Sequence, residues 1–329
     1  MTPADNRSAV ISRAIWIATA VLAVGIPFLG SPSTVDIVFR ISVLVIISVS
    51  WNLMAGAGLV SLGHSGFWGL GSYAAILSVN SLGFSFALSL VPATICGALI
   101  GATLALVTGR LRGIYFAIST LAMAEGFRVV AVMVPDLTGG FKGLYLDSSR
   151  FPGMLSVNVV AALGAVATVL IAWWLSRSRY HFALRAMRDN EAACQMLGIA
   201  PLRYRFGIMA LSGAMASFAG GISVWRGGYL DPDVAFDLIN TINSQIAPIL
   251  GGIYTLSGPV IGSVMTVALG EVTRLTLGNM VGASLLLYGV LLVIIVIGLP
   301  NGIQGALRNG SGAWLARLLQ FMQPPRSAP

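Results

Sequence analysis

Two histidines and two cysteines are the residues from which catalytic or metal chemistry would first be built, and neither pair is placed for it. His64 and His181 stand far apart, with no carboxylate or thiol partner beside either. The arrangement of nucleophile, base and orienting group that catalysis requires is therefore missing. Cys96 lies in an apolar segment and Cys194 in a basic one, a spacing that fits neither a disulfide nor a metal site. Both read as small buried hydrophobes. No Gly-x-x-x-x-Gly-Lys-Ser/Thr loop is present to cradle phosphates, so nucleotide energy, if used, must be released on another chain. No cofactor and no metal are expected.

The richest polar segment is residues 56–71, GAGLVSLGHSGFWGLG. Glycine and serine weaken a helix inside apolar surroundings, and the freed backbone groups are tolerated only where protein or a water-lined cavity satisfies them. One use is a solute path, with Ser61, His64, Ser65, Gly66 and Gly69 as its candidate lining. The other is close helix packing through Gly63, Gly66 and Gly69, spaced one turn apart on about the same face. His64 accordingly reads either as a hydrogen-bonded packing residue or as a proton carrier.

Charges inside apolar spans are costly and often functional. Glu125 and Arg128, like Glu271 and Arg274, lie three residues apart, the spacing at which helical side chains pair. Each reads as a structural ion pair, with gating or solute contact as the competing use.

The elements that position these residues follow from composition. Of 329 residues, 57% are hydrophobic and 9% charged, against about a quarter charged in an ordinary soluble domain. The chain cannot make a water-facing surface from that, so the unit of construction is the bilayer-spanning helix of about 20 residues. The 39 glycines fit helices that approach closely in lipid. A formal charge of +8 would elsewhere point to nucleic acid, but the arginines cluster in short loops, as expected if they mark the cytoplasmic side. No nucleic-acid partner is expected; membrane lipid is.

Residues 14–30 read as a retained first helix, because no small-residue cleavage site follows them. Residues 41–109 contain no Asp, Glu, Lys or Arg and allow three crossings, the first ending near Gly56 and Gly58, the others over 64–80 and 85–108. After the basic turn at Arg110 and Arg112 come crossings at 113–134, 155–175 and 206–225. Two more fit in 238–270, with a break between Gly251 and Pro259, and a last span covers 283–299. The expected fold is all-α: a polytopic membrane bundle of about ten helices with broken or re-entrant segments. An inverted repeat, common in transporters, would pair the crossings before Leu137 with those after Arg205. The division is a cytoplasmic N-terminal segment 1–13, a single transmembrane domain 14–305 and a cytoplasmic tail 306–329. Alternation places both termini and both basic loops inside.

The loop 176–205 carries Arg177, Arg179, Arg185, Arg188, Arg203 and Arg205 against Asp189 and Glu191. Within it Ala183, Met187, Asn190, Cys194 and Leu197 form a mainly apolar helical stripe, with Arg185, Arg188 and Asp189 on the other side and Gly198 as a stop. Such a helix either docks in a groove on a cytoplasmic partner or rests on lipid headgroups.

Several separated motifs occur together and in order: LVSLGHSGFWGLGSYAA (59–75), GIYFAISTLAMAE (113–125), LTGGFKGL (137–144), ALRAMRDNEAACQMLGI (183–199), YRFGIMALSGAMASFAGGI (204–222) and APILGGIYTLSGPVIGS (247–263). Over about residues 41–302 the chain resembles the permease subunits of bacterial ABC importers for branched-chain amino acids, nearest the M-type member of the paired permeases.

The resemblance implies an inner-membrane subunit paired with a second permease, identical or different, two cytoplasmic ATPase subunits and a periplasmic solute-binding protein. It also implies that Arg185, Arg188, Asp189, Glu191, Ala192, Ala193 and Gly198 form the segment coupling the permease to the ATPase. Other importer families carry Glu-Ala-Ala, three residues, then Gly; here Glu191, Ala192 and Ala193 precede Gly198 by one residue more. The implied solute is a branched-chain or other small hydrophobic amino acid. Urea, an amide or a small organic acid would suit the same neutral path, and an ion-coupled secondary transporter acting alone is the competing class.

Overall fold

The computed structural model describes residues 31–277, together with Gly25, 286–287, 289–290, 293 and 302–304. The expected crossings at 14–30 and 283–299, and the terminal segments 1–13 and 306–329, lie outside the described residues or are covered only by those isolated positions.

Helix α1 (Pro32–Gly56) starts where the Ser31 side chain accepts the Thr34 amide and proline occupies the first turn, a position that has no helical hydrogen bond to lose. It is followed by α2 (His64–Leu82), α3 (Phe86–Val107), α4 (Ile114–Met133) and the single turn α5 (Pro135–Thr138). Next come β1 (Leu144–Tyr145), α6 (Met154–Ser176), α7 (Arg179–Asp189), α8 (Glu191–Met196) and α9 (Pro201–Gly227). The chain continues through β2 (Tyr229–Leu230), α10 (Pro232–Ala235), α11 (Leu238–Gly251) and α12 (Gly258–Leu277). Five of these, α1, α3, α4, α6 and α9, are long and apolar enough to cross a membrane.

Side-chain contacts sort the helix ends onto two faces. On the basic face, Arg205 Nη1 donates to the Gly109 and Leu111 carbonyls (2.5 and 3.3 Å), and the Arg188 guanidinium lies 4.4 Å over the Tyr254 ring. The turns after α1, α3, α6 and α11 therefore gather there. On the opposite face β1 pairs antiparallel with β2 (Leu144 with Leu230), Asn80 Nδ2 donates to the Tyr145 carbonyl at 2.9 Å, and Arg128 reaches Asp233 at 2.8 Å. The ends of α2, α4 and α9 meet at that face. The chain thus changes face along α1, α2, α3, α4, α6, α9, α11 and α12, and both basic turns fall on one side, as alternation required.

Helix α9 is the central packing element, lying against α3, α2 and α1. Small residues make that possible. A methyl added at Gly97 would come 2.2 Å from the Gly213 carbonyl oxygen, and one at Gly213 would come 2.3 Å from that of Gly97. In lipid, where apolar burial between helices gains little, such close backbone contact supplies dispersion energy instead. Around it Ile46, Phe67, Ile76, Ile222 and Trp225 are fully buried.

Two sequence boundaries shift. The crossing expected at 206–225 begins at Pro201, so Arg203 and Arg205 sit on a helix and not in a loop. The expected single amphipathic helix is broken at Asn190, whose extended backbone ends α7 while its side chain accepts the Ala193 amide and starts α8. A local cap won over the 3.6-residue periodicity, which carries no information about caps. Of the expected stripe, Ala183, Met187 and Cys194 are buried while Leu197 is 81% exposed. Helix α11 ends at the expected break after Gly251 and has 14 residues, about 21 Å at 1.5 Å per residue. That is less than the roughly 30 Å hydrocarbon thickness.

The irregular stretches 57–63 and 252–257 both follow a helix arriving at the basic face. The recurring helix–break–helix units α1–α2 and α11–α12 therefore run in the same direction. This pair is a parallel recurrence and is separate from the inverted relation expected between the crossings before Leu137 and those after Arg205, of which α1 ends at the basic face and α9 starts there.

Candidate functional site

Both breaks satisfy the backbone groups that a helix would otherwise pair, which is the requirement for irregular chain at membrane depth. At the first, Trp51 Nε1 donates to the Ser61 carbonyl (2.8 Å) and Gln245 Nε2 approaches the same oxygen (3.3 Å). The Leu62 amide donates to Thr120 Oγ1 (3.0 Å) and the Ser65 amide to Thr241 Oγ1 (2.8 Å). At the second, Asn52 donates to the Thr255 carbonyl (2.9 Å) and accepts the Tyr254 amide (3.0 Å). Tyr254 holds a left-handed backbone (φ 65°), a conformation uncommon for a bulky residue.

Ser61, His64 and Ser65 are buried where these elements meet. His64 Nε2 lies 3.0 Å from Ser50 Oγ and 3.3 Å from Ser212 Oγ, while its Nδ1 has no partner among the described residues. The glycines beside them are in contact with other chain segments. An added methyl would meet the Thr120 carbonyl oxygen at 1.9 Å from Gly63, Ala124 at 3.3 Å from Gly66, and the Phe236 ring at 2.4 Å from Gly69. A chamber of about 530 Å³ in the bundle is lined by none of Ser61, His64, Ser65, Gly66 and Gly69; from that segment Trp68 reaches it.

The charges expected to pair within apolar spans form networks wider than those pairs. Arg128 binds Glu125 (2.5 and 2.9 Å) and Asp233 (2.8 Å), joining α4 to α10. Glu271 takes Arg274 (2.5 Å) and also Arg40 (2.9 Å). Arg40 pairs with Asp36 (3.1 Å), which receives Arg226 (2.6 Å). Arg226 also donates to Asn158 (2.7 Å) and lies over the Phe39 ring. Sequence reading missed Asp36, Arg40 and Arg226. The i, i+4 spacing of Asp36 and Arg40 was a usable signal; their approach to Arg226 and Glu271 was not legible, because it joins residues about 190 and 230 positions apart.

In the basic loop the residues expected to couple to an ATPase divide into anchors and surface. Glu191 accepts from Arg205 (2.8 Å) and Arg112 (3.0 Å), so it fastens α8 to α9 and to the turn after α3. Arg188 packs against Gly58 and Tyr254, and contacts Asp189. Arg185, Asp189, Ala192, Ala193 and Gly198 are exposed, with Gly198 in the left-handed conformation (φ 82°) that ends the segment. Beside them Met196 is 89% exposed. Burial, then the charges of Arg185 and Arg188, push the His181 imidazole below its ordinary value. The Tyr180 hydroxyl, which donates to the Tyr204 carbonyl, is pushed up to about 12 by burial.

Residues 33–296 match the family described as branched-chain amino acid transport system / permease component. The chain is similar to the high-affinity branched-chain amino acid transport system permease protein LivM of Escherichia coli K12, at 29% identity over 94% of this chain and 80% of that protein. It also resembles the autoinducer 2 import system permease protein LsrC of an Enterobacter species, at 28% identity over 77% of this chain and 73% of that one. A solved structure, PsaBC from Streptococcus pneumoniae in complex with Fab, aligns over 79% of this chain and 88% of that one with a TM-score of 0.47 and 14% identity. The family match spans the bundle from α1 through α12 and takes in the basic loop, so the chain belongs to the branched-chain amino acid permease family and is a membrane permease subunit of an ABC importer.

Proposed function

We propose that the chain forms one half of an inner-membrane pore, paired with a second permease, identical or different, with the basic face and both termini in the cytoplasm. Two ATPase subunits dock on that face, one against α7 and α8, and hydrolyse the ATP. A periplasmic binding protein delivers solute to the opposite face. The solute is a branched-chain or other small hydrophobic amino acid, in keeping with the name of the E. coli relative.

The observation carrying this reading is the contrast within α8. Its acidic end is anchored by two arginines, while at its other end Met196 and the following Leu197 are 89% and 81% exposed. An apolar pair on a fixed, basic-flanked helix suits insertion into a groove on a soluble partner. ATP-driven movement of that partner transmits to the bundle only through contacts that differ in energy between outward- and inward-facing states.

The test is reconstitution in vesicles. The chain with its partner permease, ATPase and binding protein should accumulate leucine on ATP addition. Uptake by this chain alone on a proton or sodium gradient would overturn the reading, as would accumulation of urea but not leucine.

A further inference from the structure

The chamber of about 530 Å³ opens between α1, α11 and α12, with Trp68 and Ser223 contributed by α2 and α9. Its size lies within the roughly 300–1,000 Å³ of small-molecule sites. One wall is apolar, from Phe39, Val43, Leu44, Ile47 and Val267. The polar part of the lining includes Asn240 and Asn243 on α11 and Thr266 on α12.

Thr266 supplies an independent pointer. Its residue is buried and its hydroxyl has no hydrogen-bond partner among the described residues. Neighbouring threonines on the same helix behave differently: Thr273 donates to the Leu269 and Gly270 carbonyls, and Thr276 to that of Val272. A buried hydroxyl left unpaired beside a cavity costs free energy that a ligand or water would recover.

At one end of the chamber stand Arg40 and Arg274, which share Glu271. Both also line a second cavity of about 430 Å³, with Pro32, Ser33, Asp36 and Glu271. They therefore form the neck between the two spaces. Arg40, Arg226 and Arg274 face only Asp36 and Glu271 in this network, which leaves one positive charge in surplus. A neutral, nonpolar solute has no use for that charge, whereas a carboxylate does.

Building on the importer reading, we propose that this chamber is a solute compartment for a small zwitterionic amino acid with an apolar side chain. The carboxylate meets Arg274 and Arg40 at the neck without displacing Glu271. The ammonium finds the side-chain oxygens of Asn240, Asn243 and Thr266 along the chamber, and Val43, Ile47 and Val267 cover the alkyl group.

The complete importer in phosphatidylcholine vesicles, supplied with radiolabelled leucine and saturating binding protein, tests this. Arg274→Gln and Thr266→Val should each lower ATP-driven uptake by about tenfold, and Arg274→Lys should restore most of it. If a variant does not assemble, a second measurement decides. Ser223→Cys, at a lining position with no assigned contact to the solute, in a Cys96→Ala/Cys194→Ala background should be shielded from a small thiol reagent by leucine, but not by 3-methylbutylamine, which lacks the carboxylate.

Wild-type uptake matched by both variants, or labelling indifferent to leucine, would overturn the chamber while leaving the importer intact. A complex that imports no amino acid would remove both. An Arg274→Gln defect confined to vesicles containing phosphatidylglycerol would assign the surplus charge to a lipid phosphate and overturn the proposal.

Discussion

Glu191 Oε2 lies 2.8 Å from Arg205 Nη2, and both side chains are nearly withdrawn from solvent, at 12% and 7% exposure. The pair sits where the loop between α6 and α9 meets the turn after α3, and Arg112 completes it. This contact decides which residues of the loop can be altered without unfolding it.

Glu191→Gln should destabilise the protein, because it leaves the buried Arg205 charge uncompensated. Breaking one side of such a pair costs about 3–5 kcal/mol. Thermal unfolding in detergent should show a lower midpoint for Glu191→Gln and partial recovery in Glu191→Gln/Arg205→Met. An unchanged midpoint would mean that the pair carries no structural weight. A charge-swap test of coupling that includes Glu191 would therefore confound folding with docking, whereas Arg185 is exposed and free of that problem.

Docking is better probed at Met196 and Leu197. Met196→Glu/Leu197→Glu should leave the midpoint unchanged, since both side chains face outward. It should abolish ATP-driven uptake and co-purification of the ATPase. Retention of both activities would place the docking surface elsewhere.

Gly63→Ala should reduce folded protein sharply, because its methyl would lie 1.9 Å from the Thr120 carbonyl oxygen, on a backbone that cannot yield cheaply. Gly126→Ala is the control, as nothing lies within 4 Å of the added methyl. Equal yields of monodisperse protein for the two variants would show that the α2–α4 contact tolerates separation.

His181 predicts a pH dependence. Its folded-state value is lowered below 6.5, by burial first and then by Arg185 and Arg188, so the native state favours the neutral ring. The associated stability is present above about pH 6.5 and is lost as the pH falls through the lower folded value, because the unfolded chain binds the proton first. His181→Gln should flatten the change in unfolding midpoint between pH 7.5 and 5.5. An identical slope in wild type and variant would assign the acid sensitivity to other groups.

Much of the bundle was legible because a membrane span is declared by composition and length. The boundaries at Gly56 and His64 were marked by glycines and by the absence of charge, which report local helix propensity and hydropathy. Placement of both basic turns on one face followed from parity alone. The Glu125–Arg128 and Glu271–Arg274 pairs were readable because three residues on a helix fix proximity without tertiary information.

What only the tertiary structure decided are contacts between distant segments. The approach of His64 to Ser212 depended on α9 arriving about 150 residues later, and the anchoring of Glu191 depended on Arg112 and Arg205 converging on one carboxylate. Likewise, only the approach of α11 and α12 to α1 brings Asn240, Asn243 and Thr266 around one chamber. Hydropathy records how much each residue prefers lipid or water; it holds no record of which helix will stand opposite.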